Sequence, residues 1–266
     1  MLFSTRIRID VRWSLVLSAL PFVVLVGLYL GTAYVRHARN PDDKIVPTLG
    51  KLIDGAKRSV TPDKSGKVQL LLDTWASAKR FGIALAIVFL AVPLGVMMGC
   101  FPFWESLLYR FVVFTDKIPA IALLPILFIA FGLGELSKVA LMVIGVFPTV
   151  CLDAYLRAKS IPDEQFQKAQ TLEASGFETV WLVVYPQIFP RMLDTIRLNF
   201  KSMMALLLAG EALAASVGLG YRIFVVRRYL AMDVIIPYVI FMTVLLYAAD
   251  VTFQWWAQRY KWVDRE

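Results

Sequence analysis

Six apolar runs alternate with polar segments along the chain, and each run is long enough to cross a bilayer. A helix needs about 20 apolar residues to span a hydrocarbon core of about 30 Å. The alternating pattern of a membrane barrel strand is absent, and lipid admits only helices and closed barrels. The pattern therefore predicts an all-α polytopic membrane protein with about six transmembrane helices. The runs cover approximately residues 13–35, 81–101, 107–131, 139–156, 193–214 and 234–256.

The first run follows Arg6, Arg8 and Arg12, and basic residues before an apolar run also begin a signal peptide. The apolar core of a signal peptide has about 7–15 residues. This run has about 20, the length of a transmembrane helix. We therefore expect it to be retained as the first span.

Composition supports a membrane protein and excludes several kinds of catalytic site. The chain is 59% hydrophobic and 18% charged, whereas soluble domains average about 25% charged residues. Its net charge is +8, but the basic residues lie mainly between apolar runs, which favours lipid headgroups over nucleic acid as their partner. Two cysteines, Cys100 and Cys151, and one histidine, His37, provide neither a metal site nor a catalytic triad. No P-loop, G-x-S-x-G or H-E-x-x-H pattern occurs, so we do not expect this chain to be an enzyme.

The polar segment after the fourth run predicts two short helices that form a compact projection from the membrane. Pro162 suits the first turn of a helix, and Asp163 and Glu164 lie near its positive end. Gly176 permits a break, and "FETVWLVVYP" indicates a second short helix that ends before Pro186.

This segment resembles the EAA loop of bacterial ABC-importer permeases, whose pattern is roughly E-A-A-x-x-L-G-A with a later L-P. The family's glycine position is held by Glu173. The residues on or beside the motif are Gln167 and Lys168, which replace its Glu and first Ala, and Ala169, Leu172, Ala174, Gly176 and Pro186.

The flanking segments are similar to the branch of that family that takes up nitrate, sulfonates, taurine and related solutes. "KIPAIALLPILFIAFGLGELSKV" resembles the branch's proline-rich third span and the turn after it. "GEALAASVGLGY" resembles its Gly-rich segment, and Asp250 and Trp262 match its last-span Asp and terminal Trp. The resemblance covers roughly residues 46–266.

The resemblance implies the type I ABC importer permease fold and a set of partners. A separate ATPase dimer, which would bind ATP and Mg²⁺, would dock on the EAA loops in the cytoplasm. An extracytoplasmic solute-binding protein would deliver the solute, and a second copy of the chain would complete the pathway. The chain itself would need no cofactor. The solute stays open between a small anion and a pyrimidine-type vitamin precursor, and a non-transporting membrane scaffold is the alternative from another class.

The resemblance also orients the chain in the bacterial inner membrane, which the charges do not. Residues 36–70 carry eight Lys and Arg, yet would lie outside if both termini are cytoplasmic, against the positive-inside rule. The expected regions are an N-terminal cytoplasmic segment with the first span (1–35), an extracytoplasmic polar connector with a short helix near 48–56 (36–78), a permease core with the loop 159–190 (79–258) and a cytoplasmic tail (259–266).

Glu173 raises a question about the turn of the EAA loop. If the family glycine adopts a positive φ, a glutamate there costs on the order of 1 kcal/mol. Either the turn has moved to Gly176 or the surface that meets the ATPase is rebuilt. We expect the shifted turn, because Gly176 lies only three residues further on.

Ionisable residues in membrane spans are candidates for the substrate pathway. Each has an alternative structural role: Glu211 as a buried anchor for the Gly-rich segment, Lys201 as a snorkelling cation, and Asp116 with Lys117 as an interhelical pair. A further role in a pocket wall is possible for Ser202 and for Met203, although methionine at such a position is more often core. Asp250 is expected to fix helix packing.

Overall fold

The computed structural model describes residues 11–41, 43–62 and 66–259, and all regular elements in these ranges are helices. Trp262 and most of the tail 259–266 lie outside the described residues. The helices are α1 (Val11–Arg39), α2 (Leu49–Val60), α3 (Gln69–Phe89), α4 (Ala91–Cys100), α5 (Pro102–Asp116), α6 (Leu124–Phe131), α7 (Glu135–Lys159), α8 (Asp163–Thr171), α9 (Gly176–Thr179), α10 (Tyr185–Leu198), α11 (Phe200–Ala214), α12 (Leu219–Arg227) and α13 (Met232–Arg259).

Four helical segments of the described chain are long and apolar enough to cross a membrane, and the number rises to six if each of two bent helix pairs is counted as one span. The four are Val16–Arg39, Gln69–Cys100, Glu135–Lys159 and Met232–Arg259. The bent pairs are Pro102–Asp116 with Ala120–Phe131, at 89°, and Gly176–Ala214 with Leu219–Arg227, at 56°. The predicted all-α membrane fold is confirmed, and so is the short helix of the connector, which α2 forms after the N-cap Thr48.

The third apolar run is not the continuous helix that its length predicts. α5 ends at Asp116, a 3₁₀ turn follows over Ala120–Leu123, and α6 starts in a new direction. Pro119 explains the break, because proline lacks an N–H and disfavours helix at the residue before it. Pro125 then occupies the first turn of α6, where proline is tolerated.

The helix before the fifth run continues through the point where Pro186 was predicted to end it. α9 leads into a π-helical turn over Val180–Val184, and α10 follows with Pro186 in its first turn. A π turn widens the helix, so it accommodates a proline ring that would clash with a regular turn. The second half of the projecting segment is therefore helically continuous with a candidate membrane-spanning element.

The core of the bundle lies around α7, which packs closely against α4. A Cβ atom added at Gly95 would lie 2.2 Å from the carbonyl oxygen of Cys151, and one added at Gly99 would lie 2.5 Å from the Cβ of Ala158. Small residues at such contacts let membrane helices approach each other and gain van der Waals packing. Few of the described side chains of α1 and α13, in contrast, are buried.

Candidate functional site

Residues 163–182, here called the knob, begin with α8 and reverse direction at Glu173. The Glu173 N–H donates to the carbonyl of Gln170 at 2.9 Å, and the Ala174 N–H donates to that of Ala169 at 3.1 Å. These are the two bonds of a Schellman helix end, which requires a left-handed residue at Glu173. Its φ is +59°.

The predicted shift of the turn to Gly176 is therefore wrong. Gly176 opens α9, and the preceding Ser175 caps that helix. The Ser175 hydroxyl accepts from the Glu178 N–H at 3.2 Å, while the Glu178 carboxylate accepts from the Ser175 N–H at 2.8 Å. This capping box fixes Gly176 inside a helical turn, so the left-handed residue must come earlier. Glu173 itself is the left-handed residue of the turn.

One side of the knob is seated on the bundle. Ala169 is buried, and the side-chain amide of Gln187 donates to that of Gln165 at 2.7 Å, which ties α8 to α10. At the base of the knob, Lys159 donates to Glu105 of α5 at 2.7 Å. These contacts join α8 to α10 and, at the base of the knob, the end of α7 to α5.

The other side of the knob exposes large apolar side chains. The exposed fraction is 82% for Leu172, 75% for Leu182 and 60% for Phe177. Leu172 lies at the tip, directly before the Glu173 turn. The predicted motif residues divide between the two sides: Gln167, Lys168, Leu172, Glu173 and Gly176 are exposed, Ala174 and Pro186 are half-buried, and Ala169 is buried. The knob therefore presents an apolar surface that no described part of the chain covers.

A largely buried ionic network with Glu135 at its exposed edge, here called the polar clasp, joins five helices and the Gly-rich segment. It consists of Asp73, Ser77 and Arg80 of α3, Glu135 of α7, Glu211 of α11 and Arg222 of α12. The Arg80 guanidinium donates to Glu211 at 2.6 Å, to Glu135 at 2.8 Å and to the carbonyl of Val217 at 2.8 Å. Tyr238 of α13 adds a hydrogen bond of 3.2 Å to Asp73.

The Gly-rich segment is held by the two buried carboxylates of the clasp. Asp73 accepts from the Gly218 N–H at 3.1 Å and from Arg222 at 2.9 Å. Glu211 accepts from the Gly220 N–H at 2.8 Å and from the Ser77 hydroxyl at 2.8 Å. Gly218 has a φ of +145°, and a Cβ atom there would lie 2.6 Å from the carboxyl carbon of Glu211. Only glycine fits this position.

The clasp and the knob lie at opposite ends of α7. Glu135 is the first residue of that helix, and Lys159, at the base of the knob, is its last. At 1.5 Å per residue the two ends are about 36 Å apart, close to the thickness of a bilayer.

The sequence pattern did not predict most of the clasp residues, because it placed the start of the second span at residue 81. α3 begins at Gln69, and its first turns carry Asp73, Ser77 and Arg80 on the buried side. Their spacing of four and three residues places them on one helical face, which is the signal that apolarity alone overlooked. Glu211 is fully buried and accepts hydrogen bonds from Ser77, Arg80 and the N–H of Gly220. It therefore anchors the Gly-rich segment, which is the alternative structural role given for it above.

The other pathway candidates occupy different environments. Met203 is fully buried among the core side chains. Asp116 accepts from Thr149 at 2.7 Å and from Lys117 at 2.9 Å, which makes it part of a helix-end pair. Lys201 and Ser202 lie on the exposed side of α11.

Asp250 has the packing role expected of it, since it accepts from Arg197 at 3.0 and 3.2 Å. Within the described residues, no three His, Cys, Asp or Glu side chains converge as a metal site would require.

Comparison with known proteins identifies the family. Residues 91–262 match the family model of the binding-protein-dependent transport system inner membrane component. The chain is 30% identical over 177 residues to the taurine transport system permease protein TauC of Escherichia coli K12, a match that covers 66% of this chain and 64% of that protein.

Two further relatives carry other names. A putative aliphatic sulfonates transport permease protein, SsuC of Escherichia coli K12, is 25% identical over 150 residues, 56% of this chain and 57% of that protein. The formylaminopyrimidine transport permease protein ThiX of Halalkalibacterium halodurans is 31% identical over 144 residues, 53% of this chain and 56% of that protein. The matches thus span less than two thirds of the length of these three relatives. The family match extends over more than half of the chain, which belongs to the family of binding-protein-dependent transport system inner membrane components.

Proposed function

We propose that this chain is the permease subunit of an ATP-driven importer, and that the knob is its contact with a separate ATPase subunit. The observation that carries the proposal is the exposed apolar surface of Leu172, Phe177 and Leu182 on a segment rigidly joined to α10. A polar rim around exposed apolar side chains is typical of a protein–protein contact. The resemblance of the same residues to the EAA loop agrees with this assignment.

The hydrogen bonds of the knob would let it transmit a movement of the ATPase to the membrane helices. It is capped at Ser175, closed by two hydrogen bonds at Glu173 and tied to α10 through Gln165 and Gln187. A force on the knob would therefore move α10 and α11 together instead of bending the loop. When the ATPase pair closes on ATP, this coupling would tilt the helices and expose the pathway to alternate sides.

The orientation follows from the same proposal. The knob and both termini would lie in the cytoplasm of a bacterium, and the clasp end would lie outside. One knob per chain and two ATPase clefts favour a complex with two copies of the permease. A solute-binding protein would then deliver its cargo to the clasp end.

The proposed cargo is a small sulfonate such as taurine, as the names of TauC and SsuC suggest. ThiX favours a second candidate, a pyrimidine-type vitamin precursor. The alternative of a non-transporting scaffold would draw on Glu173, the main departure from the EAA pattern. This support is weak, because Glu173 still forms an ordered left-handed turn at that position.

The test is to purify the tagged chain gently from its native membrane and to identify its companions by mass spectrometry. We expect a stoichiometric P-loop ATPase and a binding protein that holds the solute. The complex, reconstituted in vesicles, should accumulate taurine or the recovered solute only with ATP. A complex whose ATPase carries an inactivated P-loop lysine is the control. Isolation of the chain without an ATPase would refute the proposal.

A further inference from the structure

A groove of about 490 Å³ lies between α11 and α13, away from the clasp and the knob. Its volume is within the range of small-molecule sites. The walls are mainly apolar, with Phe200, Met204 and Leu208 on one side and Met242 and Leu246 on the other. Methionine adapts its shape to different ligands, so the walls suit a short alkyl body.

Of the two cationic side chains in the groove, only Arg197 forms ion pairs with acidic residues of the described chain. Arg197 is paired with Asp250 at 3.0 Å and with Asp194 at 3.4 Å. Lys201, four residues further along the chain and in the first turn of α11, has no ion pair or hydrogen bond with any described residue. The polar edge of the groove also carries the hydroxyls of Thr243 and Tyr247. The groove thus keeps one positive charge without a counter-charge.

The position of Lys201 along the helix determines how much this unpaired charge costs in free energy. Lys201 lies about 20 Å along the helix axis from the end of α11 at Ala214. With the outer edge of a hydrocarbon core of about 30 Å placed near Ala214, beside the clasp residue Glu211, Lys201 would fall within that core. An ammonium at that depth is costly unless water or an anion meets it. A groove that combines apolar walls with one free cation selects an anion that carries a short apolar body.

We propose that the α11–α13 groove binds small organic anions of this kind, with the Lys201 ammonium as their counter-charge. An alkanesulfonate and the headgroup of an anionic lipid share this chemistry. The transported solute as occupant rests on the proposed function, whereas anion binding itself does not. Lys201 would then contribute to the selection of the solute.

Anion binding is tested on the permease alone, in nanodiscs of phosphatidylcholine. We expect sodium propanesulfonate at 20 mM to raise the midpoint of thermal unfolding by about 2 °C or more relative to sodium chloride at the same concentration. Lys201→Gln should abolish the rise and Lys201→Arg should keep it. Lys79→Gln, which removes an exposed lysine of α3 outside the groove, is the matched control. An equal rise in wild type and Lys201→Gln, or no rise in wild type, would overturn solute binding in the groove.

A second arm separates the two sources of the anion. Retention of phosphatidylglycerol during purification, measured by lipid mass spectrometry, should be equal in wild type and Lys201→Gln if the solute is the occupant. Loss of this lipid in the variant, with no propanesulfonate effect, would overturn the solute as occupant and assign the groove to a headgroup. In the complete transporter, Lys201→Gln should lower taurine uptake at least tenfold and leave ATPase binding unchanged. A wild-type chain that binds propanesulfonate but recruits no ATPase would refute the proposed function alone.

Discussion

At one end of the bundle the polar clasp buries charged side chains, whereas at the other end the knob exposes apolar ones. Glu211 and Asp73 are fully buried, yet each accepts at least three hydrogen bonds from the chain itself. Leu172 is 82% exposed although the knob around it is tightly capped. The interactions of the clasp are completed within the chain, and those of the knob are not.

This difference predicts that the clasp contributes to the stability of the chain and the knob to its association with a partner. A buried ion network is strongly destabilised when one partner is lost, because the other charge stays buried without compensation. An exposed apolar residue adds little to the stability of the chain, but it gains hydrophobic free energy when a partner covers it. We therefore expect substitutions in the clasp to unfold the permease and substitutions in the knob to detach its partner.

The largest effect is expected from Arg80→Met, which leaves Glu211 buried without its guanidinium. The predicted loss is about 3–5 kcal/mol of unfolding free energy, measured by denaturant titration in mixed micelles. Arg58→Met is the matched control, since its ion pair with Asp233 is exposed and exposed pairs contribute about 0–1 kcal/mol. Equal losses in the two variants would contradict a structural role for the clasp. The double variant Arg80→Met/Glu211→Leu should recover part of the loss.

A smaller effect on stability but a large one on association is expected from Leu172→Asp. The charge would be desolvated against the ATPase, so we predict at least a tenfold weaker complex, about 1.4 kcal/mol. Leu133→Asp alters another exposed leucine, at the opposite end of the bundle, and should leave ATPase affinity unchanged. Ala169→Asp is a poorer test, because Ala169 is buried and its replacement would unfold the knob. Wild-type affinity of Leu172→Asp for the ATPase would contradict the contact.

The smallest effect is expected from Glu173→Gly, which relieves the left-handed conformation of a non-glycine residue. The gain is about 1 kcal/mol within the knob, so the amide of Ala174 should exchange with deuterium about fivefold more slowly. Glu178→Ala, which removes the capping box, should accelerate exchange at Ser175. Unchanged exchange in Glu173→Gly would mean that the turn carries no strain.

The fold could be predicted from the sequence because an apolar run of about 20 residues has few structures open to it in lipid other than a transmembrane helix. The sequence did not predict the break of the third run at Pro119 or the continuation of the helix through Pro186. A proline removes one hydrogen-bond donor, and the neighbouring turns decide whether the helix ends there or continues. The knob was located by its motif, but its turn was misplaced at Gly176. Propensity pointed to glycine, whereas the Schellman bonds and the Ser175 cap fix the left-handed residue at Glu173.

The clasp was harder to foresee than the knob. Its residues come from segments separated by more than 130 positions, such as Ser77 and Glu211, and no local pattern pairs them. Glu211 was singled out by its depth in an apolar run, but its partners emerged only from the packing of α3 against α11. Long-range ion pairs of this kind require the tertiary arrangement.

The most direct test of the contact between knob and ATPase is site-specific photo-crosslinking in native membranes. A benzophenone amino acid at position 172 or 182 should form a covalent adduct with the ATPase subunit upon illumination. The same amino acid at position 133, at the clasp end, should form none. No adduct from 172 or 182 in a preparation that retains the ATPase, or an equal adduct from 133, would contradict the assignment of the knob as the coupling surface.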